Sequence, residues 1–376
     1  MKENVKKHSG KSNKFNSKTL GLISAITAGL VVIIIIALAI KGGSEKNPGG
    51  TIEQTTEKIT GNDETKDYTS LFNEQMSIVI NITEDDLFLL RETPSTDNYY
   101  SINVSIGGYV VENAAIKIKG KNSLESVYEN GSNDYSYKID FNKLEKGQTL
   151  LGLDGINLDN MAKDDTKEWQ QKSFDARVKL GGIIPLYASC LLTVNNEEAV
   201  KYFATEELND SFVERITDDE NAFLLKADKK GATLLESDSI ANYEIEYGDY
   251  DETTFGKLIE VLNSSESTET DIEAILDVES VLKAAAVNFV MGNYGTYQGP
   301  EAENFYLLYS DGKFHYIEDD YSCAGRNYDN DGGLSKEVTV EEPFYRVEPK
   351  KRPLISKLLN FEKYMEMYKG YVEMLG

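Results

Sequence analysis

The chain has 376 residues, enough for one large domain or two ordinary ones, and its 40% hydrophobic and 10% aromatic content supplies a sizeable core. Against 39 Lys and Arg stand 64 Asp and Glu, a net charge of −25 that repels phosphate backbones and argues against a nucleic-acid partner. Of two histidines, His8 lies in a basic tail, so a multi-histidine zinc site is excluded and a Ser-His-Asp hydrolase would rest on His315 alone; no Cys-x-x-Cys pair exists.

Residues 1–18 carry six lysines against one glutamate, and the basic tail they form is expected to stay cytoplasmic. From Thr19 to Ile40 there is no charge, and the stretch contains the run Val31-Val32-Ile33-Ile34-Ile35-Ile36. As a helix it would rise about 33 Å, enough to cross a hydrocarbon core of about 30 Å. The prediction is a transmembrane helix over 19–40, with all that follows extracytoplasmic. A cleaved signal peptide is the alternative, since Ala37-Leu38-Ala39 resembles a small-x-small cleavage site, although signal-peptide apolar cores are usually shorter. Removing residues 1–41 takes away seven lysines and one glutamate and moves the net charge from −25 to −31. Such acidity suits an exterior domain and argues against docking on an anionic membrane face. In an oxidising compartment Cys190 and Cys323 either pair as a disulfide or remain free thiols. Residues 41–71, rich in Gly, Ser, Thr, Asn, Glu and Lys, read as a flexible extracytoplasmic linker, and 72–376 as the folded domain.

Alternation at Met76–Ile82 predicts a half-buried strand, and Thr83 an N-cap opening a short acidic helix. Strands follow at Tyr100–Ile106 and Tyr109–Lys119, joined by a Gly107-Gly108 turn, and at Tyr135–Phe141. The front half is therefore expected to be antiparallel sheet. Trp169–Leu180 has helical periodicity and stops at Gly181-Gly182. Strands return at Tyr187–Val194, Val200–Glu206 and Phe223–Lys226, followed by helices at Phe255–Leu262 and Val278–Met291. Phe305–Tyr309 and Lys313–Ile317 read as a hairpin, and Arg352–Leu375 as one or two helices. The sum is α+β, sheet-rich in front and more helical behind.

Six strings in this order resemble the spore-coat protein H (CotH) kinase family. They are Ile80-Asn81-Ile82-Thr83-Glu84-Asp85-Asp86-Leu87, Ile116-Lys117-Ile118-Lys119-Gly120-Lys121-Asn122-Ser123-Leu124, Tyr135-Ser136-Tyr137-Lys138-Ile139-Asp140-Phe141, Leu151-Gly152-Leu153, Phe223-Leu224-Leu225-Lys226-Ala227-Asp228 and Arg352-Pro353-Leu354-Ile355. The resemblance runs from about residue 75 to the end. It implies an atypical protein-kinase-like two-lobe fold holding ATP and Mg between a sheet-rich N-terminal lobe and a more helical C-terminal lobe.

It also implies roles for particular residues. Lys138 matches the family's basic strand residue and would reach phosphates; a solvated lysine on an exposed strand face is the alternative. Glu206 aligns with a family glutamate that would pair with such a lysine, unless it is simply solvated. Asp320 falls at a strand end where the family carries Trp-Asp-x-Asp, and would hold the metal that bridges the phosphates. In that motif Asp319 replaces the tryptophan and Ser322 the second aspartate. Asn304, before the next family strand, is a further metal or nucleotide ligand or else a strand-entry cap. The main departure is Gly292-Asn293-Tyr294-Gly295, where the family reads Gly-Asn-x-Asp and that aspartate is the expected catalytic residue. Glu301 or Glu303 would have to reach into the gap. Asn327–Gly332 looks like a calcium loop, but Val338 stands where an EF-hand needs glutamate, and His315 alternates within a strand as a packing residue.

These expectations leave two main readings. One is an extracytoplasmic Ser/Thr kinase acting on a surface or coat protein, impaired at Gly295. The other is a non-catalytic pseudokinase scaffold. The many acids also allow a carbohydrate-active enzyme with paired carboxylates, though no motif supports it.

Overall fold

Strict alternation of apolar and polar residues builds the front of the molecule. The computed structural model describes residues 67–325 and 338–376 apart from 96, 121–123, 125–126, 163 and 228–230, together with the backbone of Glu57–Lys58. The expected tail, the 19–40 helix, nearly all of the 41–66 stretch and the Asn327–Gly332 loop lie outside the described residues. Among the described residues no helix is long and apolar enough to cross a membrane.

The strands are β1 (Glu57–Lys58), β2 (Ser77–Asn81), β3 (Tyr100–Ile106), β4 (Tyr109–Ile118), β5 (Tyr137–Asp140), β6 (Gly155–Asp159), β7 (Tyr187–Val194) and β8 (Val200–Glu206). They run in the order β1-β4-β3-β2-β7-β8-β6-β5, and β5 pairs back onto β4. β2 to β8 thereby close into a seven-stranded barrel, antiparallel throughout except where β2 runs parallel to β7. Closure goes beyond the antiparallel sheet expected, since hairpin signals do not show whether a sheet closes. It removes the free edges that an open sheet would expose. Inside, residues such as Ile78, Ile80, Ile116, Ile139 and Ile156 are fully buried. The predicted turn at Gly107-Gly108 has φ of 60° and 89°, a left-handed region that favours glycine.

Residues 68–71, which the sequence reading placed in the linker, pack against the folded domain. Tyr68 and Leu71 are buried, and the Tyr68 hydroxyl donates to Glu206 Oε1 at 2.6 Å and to the Ser211 carbonyl at 2.9 Å. An aromatic ring with two buried hydrogen bonds anchors this stretch to the barrel end.

A second, antiparallel sheet has the order β10-β9-β11-β12, formed by β9 (Phe223–Ala227), β10 (Glu244–Tyr247), β11 (Phe305–Ser310) and β12 (Lys313–Ile317). The helices are α1 (Glu84–Glu92), α2 (Trp169–Leu180), α3 (Asp210–Ile216), α4 (Glu252–Asn263), α5 (Glu269–Glu273), α6 (Val278–Met291), α7 (Pro353–Leu359) and α8 (Glu362–Leu375). α6 is buried nearly all round because it presents Ala284-Ala285-Ala286 to its neighbours, and it ends on Gly292 with φ 64°. The Phe174 ring of α2 packs tilted against Tyr187 and Phe203, with centroids 4.7 and 5.3 Å away, and meets Tyr321 edge-on at 5.1 Å. That cluster joins the outer face of β7 and β8 to the segment after β12. The α+β content, sheet-rich in front and helical behind, is as the sequence implied. β6, β10, α3 and α5 were not anticipated.

Cys190 and Cys323 are not joined in a disulfide. Cys190 is buried in the barrel, in register with Tyr202, whereas Cys323 lies on the segment after β12.

Candidate functional site

The string Ile116-Lys117-Ile118-Lys119 points alternate side chains in opposite directions. Ile116 and Ile118 fill the barrel, so Lys117 and Lys119 emerge on its outer face. There they border a cleft of about 600 Å3, shared with residues of the second sheet and of the segments around Gly295 and Asp320. Register sets the barrel wall of this cleft. Lys117 pairs with Lys138 of β5, and Lys138 with Asn157 of β6, so all three side chains stand in one row. Like charges directly opposite one another are unfavourable. Burial, and then Lys138, lower the pKa of Lys117. On the other wall Lys226 of β9 lies in register with Tyr306 and Glu244.

Lys138 does have a carboxylate partner, but it is Glu207 rather than the expected Glu206. Lys138 Nζ donates to Glu207 Oε1 at 2.8 Å. The reason is the two-residue period of β8: Glu206 is in register with Ile156 and turns to the barrel side. Glu207 follows on the opposite face, beside Gly155, whose missing side chain leaves it room. Burial opposes ionisation of Glu207, yet Lys138, Lys226 and Lys119 bring its carboxyl down to about 2. Lys138 is buried too, but Glu207 holds its pKa above the usual lysine range. Glu207 Oε2 is buried without a hydrogen-bond partner. Glu206 is fully buried elsewhere, accepting from Tyr68, from the Leu186 amide at 2.9 Å and from Arg215 Nε at 3.0 Å. It is a structural ion-pair partner and does not line the cleft.

The acids cluster on the segment after β12 and at the end of β6. Asp320 borders the cleft, its Oδ1 accepting from the Ser322 amide at 2.7 Å. Asp319 faces the same space, 4.0 Å from Lys119 Nζ and accepting from the Tyr306 hydroxyl at 3.3 Å. Burial pushes its pKa up. Asp159 closes β6 and is raised to about 6, first by burial and then by Asp320.

Gly295 and Asn304 reach the same cleft, and the Asn304 side-chain amide donates to the Gly295 carbonyl at 2.7 Å. Asn304 has φ 58° directly before β11, so it also serves as the strand-entry residue. A Cβ on Gly295 would lie 2.7 Å from Cys323 Sγ. The thiol therefore fills the place where an aspartate side chain would emerge. Glu303 lines the cleft, whereas Glu301 does not.

Behind the cleft, Asn288 Nδ2 donates to Glu318 at 2.8 Å, Gln298 at 3.0 Å and Thr296 at 3.2 Å. Asn293 Nδ2 donates to Asn288 Oδ1 at 3.1 Å and to the Asp320 carbonyl at 3.3 Å. This network ties the Gly292–Gly295 turn to the acidic segment. Glu318, buried within it, is raised to about 7 by burial. His315 lies outside the cleft, its Nδ1 3.0 Å from Asp277 Oδ2.

Lys138, Asn304, Asp320 and Gly295 thus border one cleft, and Glu206 does not. Lys117, Lys119, Lys226, Glu207 and Asp159 were not singled out from the sequence, and Asp319 only as the residue in place of a tryptophan. The i, i+2 spacing of Lys117 and Lys119 was a legible signal. Asp159 sits on an unanticipated strand, and Lys226 needed the second sheet to be placed. The donor set suits a metal–nucleoside triphosphate: lysines for phosphate oxygens, oxygen ligands for a hard cation, and an orphaned Glu207 oxygen that wants a donor.

A closed barrel beside a helix-backed sheet, with lysines and carboxylates facing a shared cleft, defines an α+β protein with a strongly charged binding cleft. The family model for CotH kinase protein matches residues 116–375, well over half of the chain, and the chain belongs to that family. No curated protein matches it.

Proposed function

We propose that the cleft binds ATP with Mg2+ and transfers the terminal phosphoryl group, slowly, to a Ser or Thr hydroxyl of a surface or coat protein. The observation that carries this reading is the convergence of Lys117, Lys119, Lys138 and Lys226 with Asp319 and Asp320 on one cleft. Phosphoryl transfer needs cations against phosphate oxygens and carboxylates for metal, with little covalent help. In this reading Lys138, oriented by Glu207, and Lys226 hold the phosphates, while Asp320 and Asn304 hold the metal. When bound, the metal neutralises phosphate charge and fixes the orientation of the nucleotide. A kinase-like two-lobe description of the architecture, anchoring through 19–40 and an extracytoplasmic location belong to the same proposal.

Catalysis is expected to be weak because Gly295 offers no carboxylate, and a positioned base contributes about 10²–10⁴ in rate. Cys323 packed against Gly295 favours a second reading, a pseudokinase scaffold that binds nucleotide without transferring it. Calorimetry of the full chain with Mg-ATP tests both. Binding that disappears in Asp320→Ala and Lys138→Ala is expected, and labelled phosphate appearing on protein separates enzyme from scaffold. No heat at millimolar nucleotide would sink the nucleotide reading.

A further inference from the structure

The metal-holding end of the cleft is short of a carboxylate, because Ser322 offers only a neutral hydroxyl where a second acid is expected. The opposite wall supplies one. Asp159 ends β6 on the barrel side, and Asp320 follows β12 on the other side. Gln170, a buried residue in the first turn of α2, spans the two segments. Its Nε2 donates to Asp159 Oδ2 at 3.4 Å, and its Oε1 accepts from the Tyr321 amide at 3.1 Å. Each carboxylate is also fixed from behind. The Met161 amide donates to Asp159 Oδ1 at 2.6 Å, and the Ser322 amide to Asp320 Oδ1 at 2.7 Å. Two ion pairs of the cleft use other acids, Lys119 with Asp319 and Lys138 with Glu207. Two carboxyl groups are therefore held on facing walls, each with one oxygen oriented by a backbone amide.

We propose that Asp159 takes the place of the missing second acid, so that Asp159 and Asp320 together form the divalent-cation site of this cleft. Small hard cations such as Mg2+ and Mn2+ take one or two carboxylates and fill the remaining positions with water and phosphate oxygens. Gln170 is then a positioning residue that sets the spacing of the pair. The inference rests on the nucleotide-binding reading of the cleft for its biological ligand, but not for the cation itself.

The test is Mn2+ binding to the full chain, followed by electron paramagnetic resonance of the free ion with and without ATP. Trp169, the single tryptophan and a lining residue of the cleft, reports ATP in the same samples. Asp159→Asn is expected to weaken Mn2+ at least about tenfold. Asp159→Asn with Ser322→Asp is expected to recover most of that loss, which a merely misfolded Asp159→Asn protein would not do. Unchanged Mn2+ affinity in Asp159→Asn beside a loss in Asp320→Asn overturns the inference and leaves the nucleotide reading standing. Loss of Mn2+ in Asp159→Asn, with no Trp169 response to ATP in the unmodified chain, supports the cation site and overturns the nucleotide reading. No Mn2+ binding by the unmodified chain under either condition overturns both.

Discussion

Glu206 and Glu207 are neighbours in sequence with opposite surroundings, and the alternation of β8 separates them. Glu206 holds Tyr68 and Arg215 at the barrel end, while Glu207 holds Lys138 in the cleft. Removing Lys138 leaves a buried carboxylate without its main partner. Lys138→Ala should therefore cost about 3 kcal/mol, seen as a lower denaturant midpoint. Because the Glu207 carboxyl is depressed to about 2, its stabilisation is complete above the ordinary glutamate range. That contribution is lost as pH falls through about 2. Glu318 has the opposite sign. Its carboxyl is raised from 4.5 to about 7, so between those values the unfolded chain ionises while the folded one keeps its proton. Stability should fall with rising pH across that window, by about 3 kcal/mol in total, and level off above it. Glu318→Gln keeps an oxygen to accept from Tyr316 and Asn288. Melting temperatures between pH 5 and 8 should be flatter for this variant than for the unmodified chain.

At the scale of elements, the turn after α6 and the segment after β12 behave as one piece, because Asn293 and Asn288 bind both. Gly295 and Cys323 meet across that junction. Gly295→Asp alone would drive its Cβ to 2.7 Å from the thiol, and overpacking of this kind typically costs about 1–3 kcal/mol. It should lower the melting temperature without raising phosphoryl transfer. Combining it with Cys323→Ala, which removes the Sγ but leaves a Cβ 3.1 Å away, should regain part of that stability and, if the proposed function holds, raise transfer by about 10²–10⁴. Helices with strong periodicity, such as Glu252–Asn263, or with a clear stop, such as Trp169–Leu180 ending at Gly181, were legible from sequence. β6 was not. Ile156 and Leu158 do alternate with Gly155, Asn157 and Asp159, but two apolar residues between turn-forming ones are too short a run to mark a strand.

Among the described residues, the two larger of three apolar cores share the β7–β8 wall. Tyr202 and Ala204 face the barrel interior, whereas Phe203 faces Phe174 and Tyr187 on the helical side. One strand thus carries both cores, and the structure should unfold in a single step. Phe203→Ala, by leaving a cavity in the aromatic cluster, should cost about 3–5 kcal/mol. It should shift the transitions seen by circular dichroism and by Trp169 fluorescence together. Separate transitions would show that the cores unfold independently.

The sequence by itself determined the α+β composition, most strands and helices, the family and the candidate residues Lys138, Asn304, Asp320 and Gly295. These are local matters, fixed by periodicity, caps and short strings. The closure of the barrel, the choice of Glu207 over Glu206 and the approach of Asp159 to Asp320 were decided by tertiary structure. Each depends on which strand lies beside which and in what register, and pairing between segments far apart in sequence leaves no local pattern to read.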